Sequence, residues 1–233
     1  MPSGPEPSRD RRTAAAFSES WNRQRAGSVY TREQFEDWFT PLDSGSFSGE
    51  SVLELGFGNG SLLYHMASFG PSRLCGIELG DTIETARRNL NGLPRSLLDR
   101  IELHRGDLTT TELGLFDLVY CIGVLHHLQD PEAGYHSVIR HTRPGGRFHC
   151  WVYAREGNTI IRTLVDPIRR ATSHLPWWFT KYLVALPLVI PYYAYAKLLR
   201  ALCDGRGELV RALPLGPYSM WIAAREFRFF HHV

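Results

Sequence analysis

The chain has no apolar signal core at its start. Met1-Pro-Ser-Gly-Pro-Glu-Pro-Ser8 is polar and proline-rich, and residues 1–12 read as a disordered tail. No C-x-x-C pair occurs. The four cysteines, Cys75, Cys121, Cys150 and Cys203, are widely spaced and three fall on expected core strands, which fits free thiols in a reducing, cytoplasmic setting. Neither charge sign dominates: 26 Lys and Arg face 24 Asp and Glu, a net charge of +2. Such a balance recruits no nucleic acid through a global field, and no basic stripe interleaves with aromatics. None of the ten histidines, the adjacent His126/His127 and His231/His232 included, has carboxylate or cysteine partners at the helical spacing of a zinc site, so no metal is expected. No unbroken spanning segment is expected either. Pro187 and Pro191 interrupt the apolar run from Tyr182 to Ala196, and basic residues close it, whereas a spanning helix needs about 20 apolar residues.

What is present begins with Val52-Leu-Glu-Leu-Gly-Phe-Gly-Asn-Gly-Ser61. Val52, Leu53 and Leu55 make an apolar strand. Gly56, Gly58 and Gly60 make a turn in which backbone can approach a ligand without Cβ clashes. Ser61 opens a helix whose N-terminal dipole faces that turn. The spacing is G-x-G-x-G, not the G-x-G-x-x-G of the dinucleotide fingerprint. Glu54, two residues before the first glycine, would repel a pyrophosphate and suits a ligand carrying positive charge. S-adenosylmethionine has an ammonium and a sulfonium and no phosphate. A structural tight turn is the plain alternative.

Three further strands end in candidate ligand groups. Leu74-Cys-Gly-Ile-Glu78 places Glu78 about 20 residues beyond the glycines, where such folds set an acid against ribose hydroxyls. The strand-end position favours the ribose role; the alternative is an acid at the start of the helix at Asp81 and Thr82. Ile101-Glu-Leu-His-Arg105 is followed by Asp107, an acceptor for an exocyclic amine or the N-cap of a short helix near Thr109; the two roles are compatible. Phe116-Asp-Leu-Val-Tyr-Cys121 leads to Gly123-Val-Leu-His-His-Leu-Gln-Asp-Pro131 and a helix over 132–141. Arg143-Pro-Gly-Gly146 reads as a turn before a fifth strand, 147–153. Strands alternating with helices predict a parallel sheet covered on both faces.

These pieces in this order resemble the class I S-adenosylmethionine-dependent methyltransferases of the small-molecule type with a V-L-H-H-L segment. The resemblance covers residues 50–153. It implies a Rossmann-like, doubly wound, mainly parallel α/β sheet over residues 49–157. It also implies a cofactor site in which Glu54, Gly56, Phe57, Gly58 and Gly60 contact the methionine part, Glu78 and Leu79 the ribose, Asp107 and Leu108 the adenine, and Cys121 and Ile122 the sulfonium side. Gly80 departs from the serine frequent at that position.

The flanks carry the remaining expectations. Residues 13–48 read as an N-terminal helical lid. Phe35, Trp38 and Phe39 share one helix face that packs either on the sheet or over the cofactor, and Trp21 or Tyr30 could close over a sulfonium, whose charge a ring face attracts. Residues 158–233 read as short helices forming an apolar, aromatic-rich cap for an amphipathic or aromatic acceptor, with membrane-surface contact as the alternative. A helix over 159–170 is expected to break near Pro167. Only 226–233 looks strand-like beyond the cap, so the antiparallel hairpin that usually closes such sheets is incomplete or the chain is a fragment. An open edge would permit dimerisation.

Methyl transfer requires alignment, and a base only where the acceptor loses a proton before attack. His126 is the candidate base, against a packing or capping role. His127, Tyr153, Arg155 and Glu156 are candidate substrate contacts. The expected function is methyl transfer to oxygen or nitrogen of a small molecule. A non-catalytic nucleotide-binding protein and an NAD-dependent oxidoreductase are the alternatives.

Overall fold

The computed structural model describes residues 8–22, 30–153, 159, 161–172, 175–203, 207–224 and 227. The chain divides into two compact units, Met1–Tyr153 and Ala154–Val233.

The first unit is built on five parallel strands: β1 (Ser51–Leu55), β2 (Arg73–Glu78), β3 (Ile101–Arg105), β4 (Phe116–Ile122) and β5 (Thr142–Trp151). Their spatial order is β3-β2-β1-β4-β5. The order reverses at β1, so the crevice beyond the carboxyl ends of β1 and β4 is where such a sheet takes ligands. Helices α1 (Arg9–Asn22), α2 (Arg32–Phe39), α3 (Ser61–Ala67), α4 (Ile83–Leu90), α5 (Arg95–Leu98) and α6 (Pro131–His141) accompany the strands. Strand alternation sends two sets of side chains to two cores. Val52, Leu74, Leu118 and Tyr120 join Phe35, Phe39, Leu63 and Met66, while Leu53, Leu55, Cys75, Val119 and Cys121 join Leu125 and Val138. Coverage of both faces explains why β1, β2 and β4 read as near-continuous apolar runs.

Several expectations are corrected in this unit. α1 begins at Arg9, inside the stretch expected as tail. Of the two placements expected for the Phe35 and Phe39 face of α2, the structure has the one on the sheet core, with Phe39 edge-on to Tyr120 at 5.0 Å. No helix forms at Thr109, because Asp107 closes a tight turn instead. Arg143–Gly146 is an irregularity within β5: its pairing with β4 steps from Phe116↔Thr142 to Leu118↔Arg147.

The second unit is helical in its described residues. A π-helical turn (Ile161–Val165) runs into α7 (Asp166–Thr172), so the helix continues through Pro167, which falls in α7's first turn. After α8 (Trp177–Phe179), a π-helical stretch (Thr180–Ala185) runs directly into α9 (Leu186–Cys203); α10 (Gly207–Ala212) and α11 (Gly216–Ala223) follow. The expected break at Pro187 and Pro191 is absent. A helix-interior proline forfeits one hydrogen bond but need not end a helix, and the π-helical stretch before Leu186 already departs from the i→i−4 ladder. The strand expected over 226–233 lies outside the described residues except for Phe227, which is helical.

Candidate functional site

The glycine turn joins β1 to α3. Gly56, Gly58 and Gly60 have φ of 83°, 55° and 77°, the left-handed region that disfavours side chains. At Gly56 space forbids one too, since a Cβ would stand 2.6 Å from Val124 Cγ2. The turn is anchored on both sides. The Gly56 N–H donates to the Ile77 carbonyl at 2.8 Å, and Thr82 Oγ1 donates to the Gly58 carbonyl at 2.5 Å. Asn89 Nδ2 donates to the Asn59 carbonyl at 2.9 Å, and Asn59 Oδ1 accepts from the Ser61 N–H at 3.1 Å.

Glu78 ends β2 and accepts from two backbone donors, Gly58 N–H at 2.9 Å on Oε2 and Gly80 N–H at 2.7 Å on Oε1. It therefore ties the glycine turn to the strand beside it. Each oxygen keeps acceptor capacity, because a carboxylate offers about four lone-pair sites. Asp107 Oδ1 accepts from the Thr109 N–H at 2.9 Å and its hydroxyl at 2.6 Å, closing a turn in place of the helix cap expected there. Leu79, Gly80, Gly106 and Asp107 line a cleft of ≈ 580 Å³ with Ser18 and Arg11 of α1.

Glu54 is fully buried, and Tyr120 donates its hydroxyl to Oε2 at 2.8 Å. Burial pushes the Glu54 carboxyl up to about 8; the Tyr120 hydrogen bond opposes this and the Glu78 charge adds to it. Glu54 and Tyr120 are direct neighbours across the β1–β4 register. The Tyr30 hydroxyl is raised by burial first, then by Tyr153 and Glu54, so these groups share one electrostatic neighbourhood. Tyr30 also packs edge-on against Trp38 with ring centres 4.8 Å apart.

Helix α1 crosses the ligand edge of the sheet. Ser18 Oγ accepts from the Asp81 N–H at 3.0 Å, and Asn22 Nδ2 donates to the Asp81 carbonyl at 2.9 Å. At its other end Asp10 Oδ1 accepts from the Gln129 N–H at 2.7 Å, and Phe17 lies 5.0 Å from the His127 ring. The Trp21 indole stands over Gly58, where a Cβ would be 3.5 Å from Nε1. A Cβ at Gly80 would strike Ser18 Oγ and stand 3.2 Å from the Ala14 carbonyl oxygen, so a glycine here admits α1.

His126 lies on a one-turn helix (Leu125–His127) after β4. Neither ring nitrogen has a hydrogen-bond partner among the described residues, and the ring is 4.5 Å from Tyr153 and 4.2 Å from His127. Burial, then His127, pushes His126 down to about 4, so the imidazole is neutral at physiological pH.

Three expected contacts fall to backbone alone. Cys121, Leu108 and Phe57 are buried in the two cores, because strand alternation or close packing turns their side chains inward, leaving only backbone for a ligand. Burial also pushes the Cys121 thiol well above its ordinary value. Ile122 is half-buried at the end of β4. Arg155 and Glu156 lie outside the described residues. Tyr120 was not expected; its alternation with Leu118 on one face of β4, beside Glu54 of β1, was the available signal. The Ser18, Asn22 and Asp10 contacts had no local signal, since their partners lie far along the chain. Cys75, Glu102 and His104 also gather within 4.8 Å of one another between β2 and β3. Arg73 holds both Glu102 oxygens, at 2.9 and 2.8 Å, and burial pushes the Cys75 thiol up to about 11, so that set offers a cation poor ligands.

The donor set fits S-adenosylmethionine. Beside the glycine turn stand two carboxyl groups, Glu54 buried with the Tyr120 hydroxyl on it and Glu78 half-buried, which suit an ammonium and ribose hydroxyls rather than a pyrophosphate.

A sequence profile described as a methyltransferase domain matches residues 53–148. An uncharacterised protein of Synechococcus sp. is 32% identical over 121 residues, covering 50% of this chain and 28% of that protein. The ubiquinone biosynthesis O-methyltransferase of Bordetella bronchiseptica is 33% identical over 112 residues, covering 47% of this chain and 44% of the enzyme. The mitochondrial ubiquinone biosynthesis O-methyltransferase of Schizosaccharomyces pombe is 32% identical, covering 51% of this chain and 41% of the enzyme. This chain thus spans less than half the length of these three curated relatives. Among solved structures, the glycopeptide N-methyltransferase MtfA with S-adenosyl-L-homocysteine is 27% identical with a TM-score of 0.47, covering 57% of this chain and 51% of that one.

Proposed function

We propose that this chain, whose residues 53–148 match a methyltransferase domain, uses S-adenosylmethionine as its cofactor and methylates an oxygen or nitrogen of a small amphipathic or aromatic molecule. The observation that carries this reading is the acceptor-lined glycine turn, braced to β2 through Glu78 and backed by the buried Glu54. The O-methyltransferase relatives favour a hydroxyl oxygen as the acceptor atom.

When bound, the cofactor supplies an electrophilic methyl group on a sulfonium. The chain's own contribution is placement and charge. The Gly56–Gly60 turn offers backbone at close range. Glu54 would face the ammonium and would give up its proton to do so, because a cation beside it favours the carboxylate. Glu78 would accept from ribose hydroxyls through lone pairs not used on Gly58 and Gly80, and Asp107 and Leu79 would border the adenine. Trp21, on α1, would cover the turn and limit water. His126 is neutral with two unpartnered nitrogens, so it can accept a hydrogen bond from an acceptor O–H and orient it. With its pKa near 4 it is a weak base, so its role is orientation more than proton removal. Tyr153, His127 and Tyr30 would line the acceptor side.

Incubating the chain with S-adenosylmethionine carrying a labelled methyl group and a panel of phenols, catechols and amines tests this reading. Label is expected to pass to a hydroxyl or amine of an aromatic or amphipathic acceptor. Cofactor binding without transfer to any member of the panel would refute the catalytic reading and leave a binding protein.

A further inference from the structure

The helical run Thr180–Cys203 is long and apolar enough to cross a membrane by length and composition, yet only 11% of its most apolar window is buried. Its two faces differ. Tyr192, Ala196, Leu199 and Cys203, spaced by four and three residues, pack against Ile222, Ala223 and Val210 of α10 and α11. On the opposite face Leu183, Pro187, Ile190, Ala194, Leu198 and Ala201 repeat at the same spacing, and all are exposed. Leu183, Ile190, Leu198 and Leu202 are 52–62% exposed. Trp178 and Tyr182, residue types that favour a membrane–water boundary, are half exposed or more where the run begins.

Charge indicates what covers this stripe. Residues 154–233 hold eleven Lys and Arg against five Asp and Glu, whereas residues 1–153 hold fifteen against nineteen. Lys181 precedes the stripe, and Lys197 and Arg200 flank it. A second copy brings the same positive charge to the same face, which opposes stripe-to-stripe pairing. An anionic lipid surface brings the opposite charge and accepts aliphatic side chains just beneath it.

We propose that α9 and the π-helical stretch before it dock in the plane of an anionic bilayer surface, with the stripe from Leu183 to Leu202 facing the acyl chains. The geometry favours lying over spanning. Fifteen residues separate Lys181 from Lys197, about 22 Å of helix, against a hydrocarbon core of about 30 Å. Lys197 is also held at the helix pair, its Nζ donating to the Ala223 carbonyl at 2.9 Å. The proposal is independent of methyl transfer: it concerns the second unit alone, and its test reads no activity.

The test is co-sedimentation of the full chain with vesicles of phosphatidylcholine alone and of phosphatidylcholine with phosphatidylglycerol. Binding to the anionic vesicles, weakened by salt, is expected. L183E/I190E/L198E is expected to lower that binding about tenfold or more while leaving the thermal melt unchanged, since these side chains face outward. Should that variant fail to fold, K181E/R200E serves in its place and is expected to abolish the preference for anionic vesicles. The proposal is overturned by a chain that stays in the supernatant with both compositions, by binding indifferent to lipid charge, or by a soluble dimer that the triple variant splits in light scattering.

Discussion

The Tyr120 hydroxyl donates to Glu54 Oε2 across 2.8 Å, in a place where both residues are sealed from solvent. The two stand opposite each other on β1 and β4, so the pairing of the strands assembles the pair. The cost of burying Glu54 appears as a carboxyl that holds its proton up to about pH 8.

Cofactor affinity should therefore depend on pH. Below about 8 a cationic ligand must displace the Glu54 proton, and above it the carboxylate is ready. Affinity is expected to rise from pH 6 towards about 8 and then level off. Calorimetry in buffers of differing ionisation heat should show protons released at pH 6.5. E54Q is expected to bind more weakly and to lose both the pH dependence and the proton release.

Stability should run the other way. The folded-state pKa of Glu54 lies above its ordinary 4.5, so the folded chain keeps a proton that the unfolded chain loses. That contribution is complete below about 4.5 and is lost as pH rises through about 8. In the absence of ligand, E54Q is expected to gain thermal stability over the parent as pH goes from 6 to 9. Y120F removes the bond that lowers the Glu54 pKa, so it should raise the pH midpoint of cofactor binding and cost about 1–3 kcal/mol of stability.

The glycine turn makes a separable prediction. G56A meets both a left-handed φ and the Val124 side chain. It is expected to destabilise the fold by about 1–2 kcal/mol from the backbone alone, with more from the contact. G56A/V124A should recover only the contact part, measured by urea denaturation. E78A should loosen the same turn, since it removes the acceptor for Gly58 and Gly80, and faster amide exchange at both glycines would report it.

Helix α1 should matter to binding more than to folding. W21A is expected to weaken cofactor binding several-fold, because the indole covers Gly58, and to leave the circular dichroism melt within about 2 °C of the parent. An unchanged affinity would remove α1 from the site.

For His126, the pH–rate profile should show no ionisation near 6.5, since the imidazole titrates near 4. H126A is expected to raise KM for the acceptor more than it lowers kcat. A large fall in kcat with a lost basic limb would instead make His126 a proton acceptor in the reaction.

Much of the first unit was legible in the sequence, because apolar runs ending in Gly56, Glu78 and Asp107 mark strand and edge by local pattern. β3 falls at Ile101–Arg105 as the pattern predicts. What was not legible depends on distant partners. Tyr120 finds Glu54 across 66 residues, and Ser18 finds Asp81 across 63. Pro187 and Pro191 misled for a different reason. Proline disfavours a helix interior locally, but each costs only part of what a long apolar helix and its contacts with α11 return. The turn expected at Arg143–Gly146 became a β-irregularity, because Arg147 onward pairs with Leu118 onward whatever the glycines do.

On the proposed reading, the Glu54, Glu78 and glycine-turn site takes a phosphate-free nucleoside that carries an ammonium. Titrating the chain at pH 8 with S-adenosylhomocysteine and, separately, with NAD tests it most directly. Saturable binding of S-adenosylhomocysteine that E54Q weakens is expected, with no binding of NAD. Binding of NAD in preference to S-adenosylhomocysteine, or of neither, would contradict it.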